Sequence, residues 1–184
     1  MILLVGKSEL FTENFFLPVS AVLERRGTLR KLLSLWGVSL VFNLIGSLLF
    51  AALIARPGVL GEGPAREMIE LAQHKIEYSW ETAFVKALFG GWLMTIMTWL
   101  VVAAEGLGPR LMIIWGVATL IVLGEFNHVV ISAAEIFMAM FLGADITIAE
   151  WFMRNFVPAL FGNVIGGVVF VTLLSYIQAR YTEE

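Results

Sequence analysis

Between Lys31 and Arg56 the chain runs 24 residues without a charged side chain, and between Arg154 and Arg180 it runs 25. A helix needs about 20 apolar residues to cross a bilayer. A third uncharged run, Ala87 to Ala104, has 18 residues. None of these runs shows the two-residue alternation of a barrel strand. Helices that satisfy their own backbone are therefore the spanning form to expect. Composition agrees: 59% of the 184 residues are apolar and only 15% are charged, where a soluble domain carries about a quarter charged. The expectation is an all-α integral membrane protein, one membrane domain over residues 1–184.

Several partners and chemistries drop out at once. A net charge of −3 with no basic block argues against nucleic acid. No cysteine is present, which removes disulfides, thiolate catalysis and thiolate metal sites. Two histidines are too few for a haem or zinc centre, and the glycines match no nucleotide motif. We expect no metal, no cofactor and no enzymatic activity. Met1–Gly6 has no charged leader region and does not read as a signal peptide.

The expected spans are Leu32–Ala55, about Ala83–Ala104 and Asn155 to about Ala179. Leu10–Leu23 is apolar but too short to cross alone. The segment Leu111–Leu142 has 32 residues, about 48 Å as a helix against a hydrocarbon core of about 30 Å. Its polar, glycine-led centre, Gly124-Glu-Phe-Asn-His128, marks a break. Residues 56–82 form a polar connection whose later part is compatible with helix. Four basic residues in Glu24–Lys31 place that loop in the cytoplasm. Alternation then puts 56–82 outside, Arg110 inside, 143–154 outside and the C-terminus inside.

Two segments resemble each other. Phe42-Asn-Leu-Ile-Gly-Ser-Leu-Leu-Phe50 aligns with Gly162-Asn-Val-Ile-Gly-Gly-Val-Val-Phe170 at an offset of 120 residues. A polar interruption precedes each: Gly6–Thr12 in one half, Gly124–His128 in the other. Thr12 and His128 lie 116 apart. Chance similarity among glycine-rich membrane helices is one reading. The other is an inverted repeat, residues 1–55 and 83–184 around the outer loop 56–82, with interrupted helices meeting near the midplane. On that symmetry the first half lacks a full helix and part of a second, so the N-terminus is expected to be incomplete.

His128 is the one histidine at membrane depth. An ionisable group there usually marks a functional path, although a neutral ring bonding backbone freed by the break is the bland alternative. Thr12 reads as a helix cap or as a partner for His128. Leu10 and Phe11 read as an apolar constriction or as core. Glu9 and Glu13 bond the first break or line a vestibule. Glu135, seven residues after His128, is a candidate for pairing across subunits. Asn43 and Asn163 read as interhelical hydrogen-bonders, and Gly162, Gly166 and Gly167 as a close-packing face. His74 and Lys75 in the outer loop are solvated by default, though a basic residue there attracts anions.

These residues resemble the formate/nitrite transporter family. Ser8-Glu-Leu-Phe-Thr12 is similar to the loop interrupting its second helix, and Phe42–Gly46 to its third helix. Phe126-Asn-His128 is similar to the break in its fifth helix, and Asn155–Gly167 to its sixth. The resemblance implies an aquaporin-like bundle, a homopentamer with one pore per subunit, and passage of small monovalent anions such as formate, nitrite or hydrosulfide across a prokaryotic cytoplasmic membrane. It places His128 at the pore centre facing Thr12, Leu10 and Phe11 at a constriction, Lys75 near the outer mouth, and Asn163 in a Gly-Asn motif. Two departures border the pore: Gly90-Gly91-Trp92 where the fourth helix often carries Asn, and Asn127 where Glu often precedes the histidine. A neutral-solute or water pore, and a non-transporting membrane subunit, remain the alternatives.

Overall fold

The computed structural model describes residues 10–182, and among them every regular element is helical. Glu9 and residues 6–8 of the first interruption lie outside the described residues. A tight turn, Phe11–Phe15, leads into α1 (Leu17–Leu23). Then follow α2 (Leu29–Ile54), α3 (Glu62–Glu77), α4 (Trp80–Ala103), α5 (Leu107–Leu123) and α6 (Val129–Phe141). The last helix, α7, runs 34 residues, Ile148–Tyr181. Three helices, α2, α4 and α7, are long and apolar enough to cross a membrane. The expected break in the fifth segment is real, and it separates α5 from α6.

Local chemistry sets the starts. Thr28 caps α2 through the Lys31 N–H at 3.4 Å, and Ser79 caps α4 through the Thr82 N–H at 3.1 Å. Thr147 and Glu150 close a capping box on α7. These caps explain why α2 and α4 start about three residues before the apolar runs. α7 starts at Ile148, seven residues before Asn155, because Arg154 is exposed and its charge can leave the helix sideways. Two wider turns, Trp151–Phe156 and Val168–Leu173, interrupt the regular α7 pitch. The loop 56–82 is mostly the helix α3.

α4 and α7 form the most extensive helix contact, followed by α2 with α6. Glycine makes the first one close. A Cβ on Gly91 would collide with the Asn163 backbone, and one on Gly166 with the Leu88 carbonyl. These are small-residue seams of the kind that let membrane helices approach. α2 is different. Its apolar window is 17% buried against 44% for α7, and Phe42, Leu49 and Leu53 face outward. In a membrane an outward apolar face is solvated by lipid, so this exposure costs nothing there.

Candidate permeation site

The Phe11–Phe15 turn and the α5–α6 break meet. They bring Thr12 and His128 together, with Thr12 Oγ1 2.8 Å from His128 Nε2. Thr12 is 0% and His128 1% exposed, so both side chains are buried. His128 is also the N-cap of α6: its Nδ1 accepts the Ile131 N–H at 3.2 Å. That contact assigns the tautomer. With Nδ1 accepting, the proton of the neutral ring lies on Nε2 and is donated to Thr12 Oγ1. Nδ1 thus bonds backbone freed by the break, as the bland reading expects, while Nε2 faces Thr12. Thr12 caps no helix in this structure; Leu10 occupies the cap of that turn without a side-chain bond.

Asparagines hold both interruptions in place. Asn163 Oδ1 accepts the Val129 N–H at 2.9 Å, and its Nδ2 donates to Ala87 O and Asn127 O, both at 2.8 Å. Asn43 Oδ1 accepts the Phe11 N–H at 2.8 Å. Residues 120 apart in the repeated motif therefore do the same job. Each accepts the first backbone N–H of a turn or helix, Phe11 of the Phe11–Phe15 turn and Val129 of α6. Behind His128, Ser132 Oγ donates to the His128 carbonyl and Asn155 Oδ1, each at 2.9 Å. Asn155 Nδ2 reaches Asn127 Oδ1 at 3.4 Å. Asn127 Nδ2 is buried with no partner among the described residues. Ser132 and Asn155 carried no signal in the sequence beyond being polar in apolar runs.

The break itself is held from the α3 side. Glu125 adopts φ +49°, the left-handed region that costs an L-residue about 1 kcal/mol or more. Its carboxylate accepts the Tyr78 hydroxyl at 2.7 Å and lies 3.4 Å from Lys86 Nζ. Lys86 also stands 4.9 Å from the centre of the Tyr78 ring. Burial, and then the Glu125 hydrogen bond, keep the Tyr78 phenol protonated well above its ordinary range. Glu125 is therefore pinned by two partners on the α3–α4 connection and α4.

The remaining candidates separate. Leu10 borders a cavity of about 200 Å³ between α3, α4, α5 and α6, and also a groove along α2 lined by Asn43, Gly46 and Ser47. Phe11 does not border the cavity among its described lining. It packs edge-on against Phe15 at 4.9 Å and near Trp36 at 6.1 Å, in the core. Lys75, solvated by default on its sequence, is 6% exposed and borders the cavity. Its Nζ donates to Glu135 of the same chain. No group of three metal-binding side chains exists among the described residues.

The family model for formate/nitrite transporters matches residues 1–177. The chain belongs to the formate/nitrite transporter family. Among its relatives, the uncharacterized transporter YrhG of Bacillus subtilis (strain 168) is 33% identical over 181 residues, covering 96% of this chain and 66% of that protein. A probable formate transporter of Methanothermobacter thermautotrophicus is 28% identical over 190 residues, covering 95% and 69%. The chain thus spans about two thirds of the length of both relatives. A solved pentameric formate channel with formate bound superposes with a TM-score of 0.80 over 97% of this chain and 78% of that one. At 20% identity that likeness establishes the formate/nitrite transporter fold. This family member is a membrane protein related to transporters and channels.

Proposed function

We propose that the protein passes small monovalent anions of the formate, nitrite or hydrosulfide class across a prokaryotic cytoplasmic membrane, with His128 assisting by proton sharing. One observation carries this reading. The Phe11–Phe15 turn and the α5–α6 break, from separate parts of the chain, join in a buried Thr12–His128 hydrogen bond at the N-terminus of α6. A helix N-terminus favours negative charge, because its backbone N–H groups and its dipole point at the ligand. Discontinuous helices offering such ends form the substrate sites of many transporters. The named formate transporter and the pentameric formate channel support the cargo class and a homopentamer.

The hydrogen-bond order gives a relay. Nε2–H donates to Thr12 Oγ1, which leaves the Thr12 hydroxyl hydrogen for an anion oxygen. Transfer of that hydrogen to the anion is balanced by the Nε2 proton moving to Thr12 and by a proton arriving at Nδ1. The arriving proton turns Nδ1 from acceptor to donor, so the ring leaves the step as the neutral Nδ1–H tautomer and gives up the Ile131 cap. The anion leaves this step as a neutral acid, which crosses the apolar surroundings of Leu10 far more cheaply than an ion. We assign the cytoplasmic side to Glu24–Lys31 and the outer side to the 56–82 connection, with 1–55 and 83–184 as the two repeats of one lipid-embedded domain.

Formate or nitrite uptake into proteoliposomes across a pH series tests the reading. His128→Phe is expected to change the flux–pH curve. Identical curves for variant and parent refute the relay. Osmotic swelling without anion uptake refutes the anion cargo.

A further inference from the structure

The relay leaves one buried ion pair without a task. Lys75 sits on α3 beside exposed residues, yet it is only 6% exposed itself, and its Nζ donates to Glu135 Oε2. Glu135 stands on α6, one turn beyond Ile131, whose N–H is capped by His128. Leu10, Ile131, Lys75 and Glu135 all border the cavity of about 200 Å³. The rest of its described wall is apolar apart from Glu125, with Met94, Ile114 and Phe126 prominent. Lys75 is the one cation among the described lining residues. Glu125 turns its carboxylate to Tyr78, Lys86 and His74. Lys75 therefore has Glu135 as its charged partner at this wall.

An ammonium in an apolar wall is a strong attractor for a small anion, since little water competes for it. A glutamate head group is a carboxylate, the same two-oxygen acceptor that formate presents. Glu135 thus places on Lys75 the ligand that a small carboxylate or nitrite would otherwise supply. The accessibilities fit an exchange. The Lys75 side chain is 8% exposed and the Glu135 side chain 21%, so the acid is the member with room to withdraw. We propose that Glu135 is a tethered competitor at an anion site centred on Lys75, and that an entering anion takes Lys75 by displacing the Glu135 carboxylate. The cargo class rests on the proposed function above. The consequence concerns affinity: the competitor keeps occupancy low, so it raises the half-saturating concentration.

Glu135→Gln retains size and one acceptor for Lys75 but removes the competing charge. In proteoliposomes the half-saturating external formate concentration is expected to fall about tenfold, the factor that about 1.4 kcal/mol of relieved competition gives. A second readout does not need flux. Thermal unfolding of the detergent-solubilised protein, followed by tryptophan fluorescence at constant ionic strength, reports formate binding as stabilisation. The formate-induced shift is expected to be larger in Glu135→Gln than in the parent and absent in Lys75→Met/Glu135→Gln. Equal shifts in parent and Glu135→Gln overturn the proposal, because a merely structural ion pair would not alter the response to formate. A parent that passes no anion overturns the proposed function, and the stabilisation series then still decides the Lys75 site. Should Glu135→Gln fail to fold, Glu135→Asp draws the carboxylate back by one methylene and is expected to shift the formate response in the same direction. No change in the Asp variant overturns the proposal equally.

Discussion

Asn163 is the residue whose loss the bundle should feel most clearly. It is 0% exposed and makes three hydrogen bonds, accepting from Val129 N–H and donating to Ala87 O and Asn127 O. Asn163→Ala leaves one backbone donor and two acceptors without that partner. Interhelical hydrogen bonds in membrane proteins measure about 0.6 kcal/mol on average and about 1.7 at most, so three bonds give about 2 to 5 kcal/mol. The polarity of the site allows a sharper version. Asn163→Asp keeps the acceptor for Val129 but replaces the two-hydrogen donor with an oxygen, facing two carbonyls. If the donors to Ala87 and Asn127 carry the seam, Asp is no better than Ala despite its closer shape. Denaturant-titrated unfolding in mixed micelles, read by tryptophan fluorescence, measures both variants. An Asp variant within about 0.5 kcal/mol of the parent, the usual spread of neutral surface changes, refutes the reasoning.

Two further changes test the site and the seam separately. Thr12→Val preserves shape but leaves His128 Nε2–H without its acceptor, an expected cost of about 1–3 kcal/mol together with loss of most anion flux. Thr12→Ser restores both, as measured by the same unfolding and proteoliposome uptake. Gly91→Ala drives a Cβ into the Asn163 backbone and is expected to destabilise by about 1–3 kcal/mol. Gly116→Ala, with nothing within 4 Å of its added carbon, is the neutral control in the same unfolding experiment.

The spans and the break were legible for physical reasons that act locally. A bilayer excludes charge, so the gaps between Lys31 and Arg56 and between Arg154 and Arg180 announce helices directly. Gly124 and the polar residues after it announce an end because an apolar helix has no reason to hold them. The ends were less legible, since Arg154 lies inside α7 and sends its charge outward. Long-range pairing was legible only where a repeat offset signalled it, as for Thr12 and His128. Lys75 and Glu135 are 60 residues apart on different helices, and no periodicity connects them. Phe11 shows the same limit from the other side. An apolar residue next to a break fits a constriction or a core equally well, and only the neighbouring Phe15 and Trp36 place it in the core.

The repeated Asn-x-x-Gly spacing has a common cause in the two halves. A helix that resumes inside a membrane exposes N–H groups that no water can satisfy, so a side chain must accept them. At Val129 the acceptor is Asn163, and at Phe11 it is Asn43. An aspartate would accept equally but carry a charge into the hydrocarbon, and a serine would offer no second donor. Asparagine is neutral, short and double-ended, and Asn163 uses its other end on the facing helix at Ala87 O. That bond requires the facing backbone to come near, which is what Gly166, three residues on, permits against Leu88. Asn43 and Gly46 keep the same spacing on α2. The motif is therefore a device for satisfying the first N–H of a turn or helix in apolar surroundings. Its two copies hold the Phe11–Phe15 turn and the start of α6, the two places where Thr12 and His128 meet.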